Sequence, residues 1–171
     1  VSLQGGRNHE GASHGCMTLP TSILPCLPNA NAVLELLGER RQPQFDGLAK
    51  ATATMFGCPL GAITVVECDR QWFKAVTDPS ITEIPTDQSI CRHALVGTDL
   101  MVVEDLSKDL RFAANPLVTE EGMRFYAGRP IWVKIAPDSD AVPIGALYMI
   151  DFAPRTFSAE DRDTLEQLGM V

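Results

Sequence analysis

The sequence predicts an α+β domain organised around a mostly antiparallel sheet, and three observations carry that reading. Phe45, Leu48, Ala49, Thr52, Met55 and Phe56 recur at intervals of three and four, the spacing that aligns side chains on one face of a helix. Short β-branched or alternating runs between residues 62 and 151 are separated by polar turns, the pattern of half-buried strands. A final helical stretch after Ser158 gives the order helix, two strands, helix, three strands, helix. Strands grouped in this way pair mostly antiparallel.

Size and charge narrow the function classes. A chain of 171 residues is about one domain's worth and buries roughly two thirds of its unfolded surface, so one core suffices without staples. The formal net charge is -8, and the Lys and Arg residues form no cluster beyond the pair Arg40–Arg41. Duplex nucleic acid is thereby excluded as a partner, because neutralising its phosphates requires clustered cations. No apolar run approaches the ~20 residues that span a bilayer, and no basic-then-apolar leader opens the chain, so a cytoplasmic location is expected.

Each element has a local cause. Residues 1–28 read as a tail, rich in glycine and ending in prolines at 20, 25 and 28; its His9 and His14 are not read as metal ligands. The domain is expected over 29–171, opening on a short helix capped at Asn29 or Asn31, running through Val33, Leu34, Leu36 and Leu37, and closed by Gly38. The amphipathic helix from Phe45 to Phe56 ends at Gly57. Ala62–Glu67 and Gln71–Val76 form a hairpin around Cys68-Asp69-Arg70, after which Pro79 and Pro85 bracket a loop. Ser89–Val96 reads as a helix closed at Gly97, and Leu100–Val103 as a third strand. A long loop, 104–121, carries a helical turn after Pro116. Strands from Arg124 to Val133 and from Ile144 to Asp151 make the central hairpin, and Ser158 with Asp161 forms a capping box for the last helix.

The cysteines, at 16, 26, 58, 68 and 91, match neither a metal-binding spacing nor a dense disulfide framework, so five reduced thiols are expected. Cys58 and Cys68 lie at opposite ends of the first strand, roughly 20 Å or more apart, while a disulfide needs Cα atoms within about 7 Å.

Five blocks carry a family resemblance. Glu67-Cys68-Asp69-Arg70-Gln71-Trp72-Phe73-Lys74-Ala75 is similar to the first hairpin of bacterial GAF sensor domains. The stretches 85–94, 109–118, 124–130 and 144–151 agree with it in order and spacing, so the resemblance covers about residues 30–171. It implies a GAF/PAS-like α+β fold, with a central antiparallel sheet of five or six strands and helices on both faces. It also implies a non-catalytic sensory module that binds a small ligand or registers redox state and regulates a linked output, such as a histidine kinase or diguanylate cyclase. The chain, opening at Val1 and ending in a helix at Val171, reads as a segment of such a protein. Two alternatives remain: a thiol-dependent enzyme resembling free methionine sulfoxide reductase, drawing on Cys58, Cys68 and Cys91, and a scaffold that only dimerises. A homodimer through the terminal helices is expected, with Leu165 and Leu168 needing a second copy to cover them.

The candidate ligand-binding residues are Cys91, His93, Asp105, Arg111, Arg124 and Tyr126. Cys91 and His93 are two apart on a helix and leave it about 200° from one another, so they cannot converge on one metal or form a dyad. Asp105, Asp109, Arg111 and Asn115 share a polar loop, where they either clamp an anionic or zwitterionic ligand or hold the loop together; internal pairing is favoured. Arg124 and Tyr126 share one strand face, from which Arg124 either looks into a pocket or anchors the loop to Asp105 or Asp109. Trp72 and Phe73, consecutive in a strand, point to opposite sides. No phosphate-binding loop, nucleophile elbow or metal set stands out, and no cofactor is identified. The pocket is expected on the sheet face covered by the 89–96 helix and the 104–121 loop.

Overall fold

The computed structural model describes Gly38 and residues 42–134 and 136–169. The expected tail, the short helix through Leu37, Cys16 and Cys26 lie outside these residues.

Helix α1 spans Pro43–Met55, with proline in its first turn where a missing N–H costs nothing. It leads into strands β1 (Leu60–Val66), β2 (Arg70–Val76) and β3 (Glu83–Pro85). A 3₁₀ turn, Thr86–Gln88, precedes the one-turn helix α2 (Cys91–Ala94). Then follow β4 (Met101–Val103), a second one-turn helix α3 (Pro116–Thr119), the long hairpin β5 (Phe125–Lys134) and β6 (Ala141–Asp151), and helix α4 (Ala159–Leu168). The Ser158 hydroxyl accepts from the Asp161 N–H while the Asp161 carboxylate accepts from the Ser158 N–H, so the expected capping box is present.

The strands form one six-stranded sheet in the order β3-β2-β1-β6-β5-β4, with every pair antiparallel. Close approach of β6 to β1 requires Gly145, where a Cβ would run into the Thr64 carbonyl. Strand β3 falls within the stretch expected to be a loop. It pairs Trp72 with Glu83 and Arg70 with Pro85, and Pro85 is tolerated because the strand is at the sheet edge. Helix α2 is shorter than the expected 89–96 helix, a single turn.

Two apolar layers cover the sheet. On one face α1 and α4 pack through Ala49 and Leu165 onto Ile63, Ala75, Phe125, Ala127 and Met149. On the other, α2 and the 104–121 segment contribute Cys91, Leu106, Phe112 and Val118 to a layer that includes Phe73, Tyr126, Tyr148 and Ile150. The sheet is thus covered by helices on both faces.

Register in the first hairpin shifts between Ile63 and Thr64, so that Lys74 is an extra residue in β2. Trp72 and Phe73 do point apart: Trp72 packs with Val65 and Ile144, and Phe73 enters the other layer. Alternation with Trp72 turns the buried Lys74 to the α1 side, its Nζ 5.0 Å from the centre of the Phe45 ring, and the bulge lets Ala75 follow it into the same layer.

Two expectations need correction. Cys68 is disulfide-bonded, to a partner outside the described residues, whereas Cys58 and Cys91 are free thiols; the sequence offers no spacing rule for a bridge between distant segments. Leu165 does not wait for a second copy. It is fully buried in its own chain, and the half-buried Leu168 packs on the same layer, because the final helix docks on β5.

Candidate functional site

Beneath α2 and α3 the second layer is incompletely filled, leaving a cavity of about 330 Å³ on the face expected to hold a pocket. Its walls are apolar: Leu60, Phe73, Ile81, Ile84, Ile90, Leu117, Met123 and Ile150. Its polar groups are Gln71, Gln88, Cys91, Glu121, Tyr126 and Tyr148. A groove along α1 and past its end, lined by Asp46, Lys50, Thr54, Pro59 and neighbours, is walled mostly by exposed or half-buried residues.

The floor of the cavity is a buried hydrogen-bonded chain. The Ser89 hydroxyl donates to the Gln71 side-chain oxygen, and Gln71 Nε2 donates to the Tyr148 hydroxyl at 3.4 Å. Tyr126 donates to Cys91 Sγ at 3.5 Å, and its ring stacks on Tyr148 with centroids 5.4 Å apart. The Tyr126 ring folds over Gly128, where a Cβ would come within 2.7 Å of Tyr126 Cζ. Desolvation dominates the ionisation of this cluster. It raises the Cys91 thiol to about 11 despite hydrogen bonds from Tyr126, Thr64, Tyr148 and Gln71, and raises both phenols well above their ordinary range. Cys91 is therefore a protonated thiol at neutral pH. Cys58 lies in the opposite layer, its thiol also pushed by burial to about 11.

Of the six residues singled out in the sequence, the cavity brings together two, Cys91 and Tyr126. His93 leaves the other side of α2 and meets the Phe112 ring edge-on at 4.8 Å. Burial first, and then the Arg92 and Arg111 charges, lower its pKa to about 4. Asp105 accepts from the Ser107 hydroxyl at 2.6 Å and pairs with Lys108 at 3.0 Å. Arg111 donates two bonds to the Asp109 carboxylate and lies over the Phe112 ring. These loop charges are spent on one another. Arg124 anchors the loop, although not to a carboxylate: it donates to the carbonyls of Val118 at 2.8 Å and Met123 at 2.9 Å. Sequence reasoning missed Gln71, Gln88, Glu121 and Tyr148. Gln71 carried a usable signal, as a polar residue sharing a strand face with Phe73.

A family model for the GAF domain matches residues 32–171. The chain belongs to the GAF domain family. Among curated proteins this GAF domain is similar to a cyclic di-GMP phosphodiesterase of Pseudomonas aeruginosa, 34% identical over 128 residues. That match takes in 74% of the chain but 21% of the relative, so the domain spans about a fifth of that protein's length. Among solved structures it resembles the GAF domain of an Acinetobacter phosphoenolpyruvate-protein phosphotransferase, with a TM-score of 0.54 at 17% identity over 72% of this chain and 73% of that one. It also resembles a free methionine-R-sulfoxide reductase from Neisseria meningitidis solved with its substrate, with a TM-score of 0.57 at 18% identity over 74% and 71%. At such identities these two likenesses speak to the fold alone. A GAF domain has a sensory or regulatory character, and no helix among the described residues is long and apolar enough to cross a membrane.

Proposed function

We propose that this GAF domain is a non-catalytic sensor that binds a small molecule in the cavity beneath α2 and α3 and reports occupancy to a linked signalling enzyme. The observation that carries the reading is the cavity itself, an apolar chamber with a few convergent polar groups set into an otherwise packed layer. Its cover consists of two one-turn helices and a loop held by side-chain staples, the sort of segment that opens at low cost. The family and the phosphodiesterase relative support a signalling output, with occupancy passed through the sheet to α4 at the end of the chain.

A thiol-reductase reading finds less support. Its chemistry needs an activated thiolate with a resolving thiol nearby. Here Cys91 and Cys58 are held protonated on opposite faces of the sheet, and Cys68 is exposed in the β1–β2 turn and already bonded. A homodimer is kept as part of the proposal, through surfaces other than Leu165.

Native mass spectrometry of the purified chain tests the reading. A retained small molecule released on unfolding is expected, with a thermal midpoint that rises when it is added back, by about 2.7 kcal/mol of stabilisation at a hundredfold excess over Kd. Turnover of free methionine sulfoxide by the chain would replace this reading with the enzymatic one.

A further inference from the structure

The walls of the cavity differ from the expected anion clamp in sign. Glu121 is the one residue in the lining that carries a charge. The guanidiniums nearest to it along the chain are turned elsewhere, Arg124 towards the carbonyls of Val118 and Met123, Arg129 towards that of Glu166 and Arg111 onto Asp109, and Arg92, beside Cys91, donates to the Thr86 carbonyl. His93 packs on Phe112 and stays outside the lining, and Lys74 lies on the opposite face of the sheet over Phe45. A phosphate or carboxylate entering this chamber would lose its hydration and meet no cation.

The polar groups divide into two sets. Those on the floor satisfy one another, Ser89 with Gln71, Gln71 with Tyr148 and Tyr126 with Cys91. At the rim, the half-buried Gln88 and the exposed Glu121 belong to the lining, and neither side chain has a hydrogen-bond or ion-pair partner among the described residues. The two segments that carry them are tied together, because Asn115 donates to the Gln88 carbonyl at 2.9 Å while capping α3. The free groups are thus an anionic acceptor and an amide, at the mouth of an apolar chamber whose 330 Å³ is near the lower end of small-molecule sites.

We propose that the ligand is a small, largely apolar monocation: an amine whose hydrocarbon or aromatic body fills the space against Phe73, Ile90 and Ile150, and whose ammonium donates to Glu121 and Gln88 at the rim. Cyclic nucleotides and carboxylic acids are excluded by the same walls. The inference rests on the ligand-binding reading above and adds the chemical class. The chain's net charge of -8 also draws cations towards it.

Three probes of one shape separate the possibilities: phenethylamine, phenethyl alcohol and phenylacetate, titrated into the full chain and read by methyl NMR at Leu60, Ile90 and Ile150, with cyclic AMP and cyclic di-GMP as further arms. The amine is expected to bind about threefold more tightly than the alcohol, the size of a partly exposed ion pair, and phenylacetate at least roughly tenfold more weakly than the alcohol. Glu121→Gln should bring the amine down to the affinity of the alcohol and leave alcohol binding intact. Equal or tighter binding of phenylacetate or of either nucleotide at these methyls overturns the proposed class while keeping a ligand-binding cavity. If neither these probes nor dissolved xenon shifts the three methyls, the cavity reading falls, and this inference with it.

Discussion

Leu165→Ala tests how the end of the domain is held. Leu165 is fully buried between α4 and the sheet, in the layer formed by Phe125, Ala127 and Phe157. Truncation removes the transfer free energy of three buried carbons and leaves a void that rigid strands cannot close, which costs about 2–5 kcal/mol. For a chain of this length each kcal/mol lowers Tm by about 2–4 °C, so a 3 kcal/mol loss corresponds to a fall of about 6–12 °C. Urea unfolding should show a lower midpoint with an unchanged slope. Leu168→Ala, at a half-buried position, should cost less than half as much. A loss below about 0.5 kcal/mol for Leu165→Ala, or a Tm that becomes concentration-dependent as dimers dissociate, would mean that α4 docks on a second copy and would refute the intrachain packing.

Other outcomes follow from the site. The His93 imidazole titrates at about 4 in the folded chain against 6.5 when exposed, so the unfolded state gains its proton first as pH falls. Stability should therefore decline from about pH 6.5 to about 4, and His93→Phe should flatten that window in urea titrations; an unchanged profile would contradict a neutral packed imidazole. Cys58 and Cys91 should resist iodoacetamide at pH 8 in the native chain and label on unfolding, as read by peptide mapping; rapid native labelling of Cys91 would contradict the buried thiol. Arg124→Ala removes charge-assisted bonds to two carbonyls and should destabilise by about 1.5–3 kcal/mol, with faster amide exchange over 116–123; protection unchanged there would show that the loop is held by other means. Gly128→Ala should displace the Tyr126 ring and weaken probe binding in the cavity, because the added methyl takes the space the ring occupies; unaltered binding would detach Tyr126 from the site.

The fold was legible where local chemistry decides it. The 3–4 spacing of α1, the hairpin at Cys68-Asp69-Arg70, the Ser158–Asp161 box and the opposite facing of Trp72 and Phe73 all follow from side chains acting within a few residues. What escaped depends on partners far away in sequence. Strand β3 is three residues long and exists because β2 offers it a ladder. Ala75 joins Lys74 on the α1 side only through a bulge, which reverses the alternation a strand pattern assumes. At the site, the loop charges were readable as a group, and their preference for one another follows from short separations: Asp109 with Arg111, and Asp105 with Ser107 and Lys108. The rim pair Gln88 and Glu121 was not readable, since thirty-odd residues of folded chain bring them to one cavity.

Arg155 gathers three separate parts of the domain, two through its side chain and one through its backbone N–H. It holds Asp151 at the end of β6 at 2.5 Å and the carbonyls of Phe56 and Gly57 just past α1 at 2.7 and 2.5 Å. Its own N–H donates to the Glu104 carbonyl, and the Glu104 carboxylate in turn accepts from the Phe157 N–H, one residue before the cap of α4. The end of α1 is thereby held by the guanidinium and the start of α4 through Glu104, while Leu165 and the bond from Arg129 to the Glu166 carbonyl seat the rest of α4 on the sheet. A tilt of β5 therefore carries the ten residues of α4 with it as one body, and α1 is tied to the same corner through Arg155.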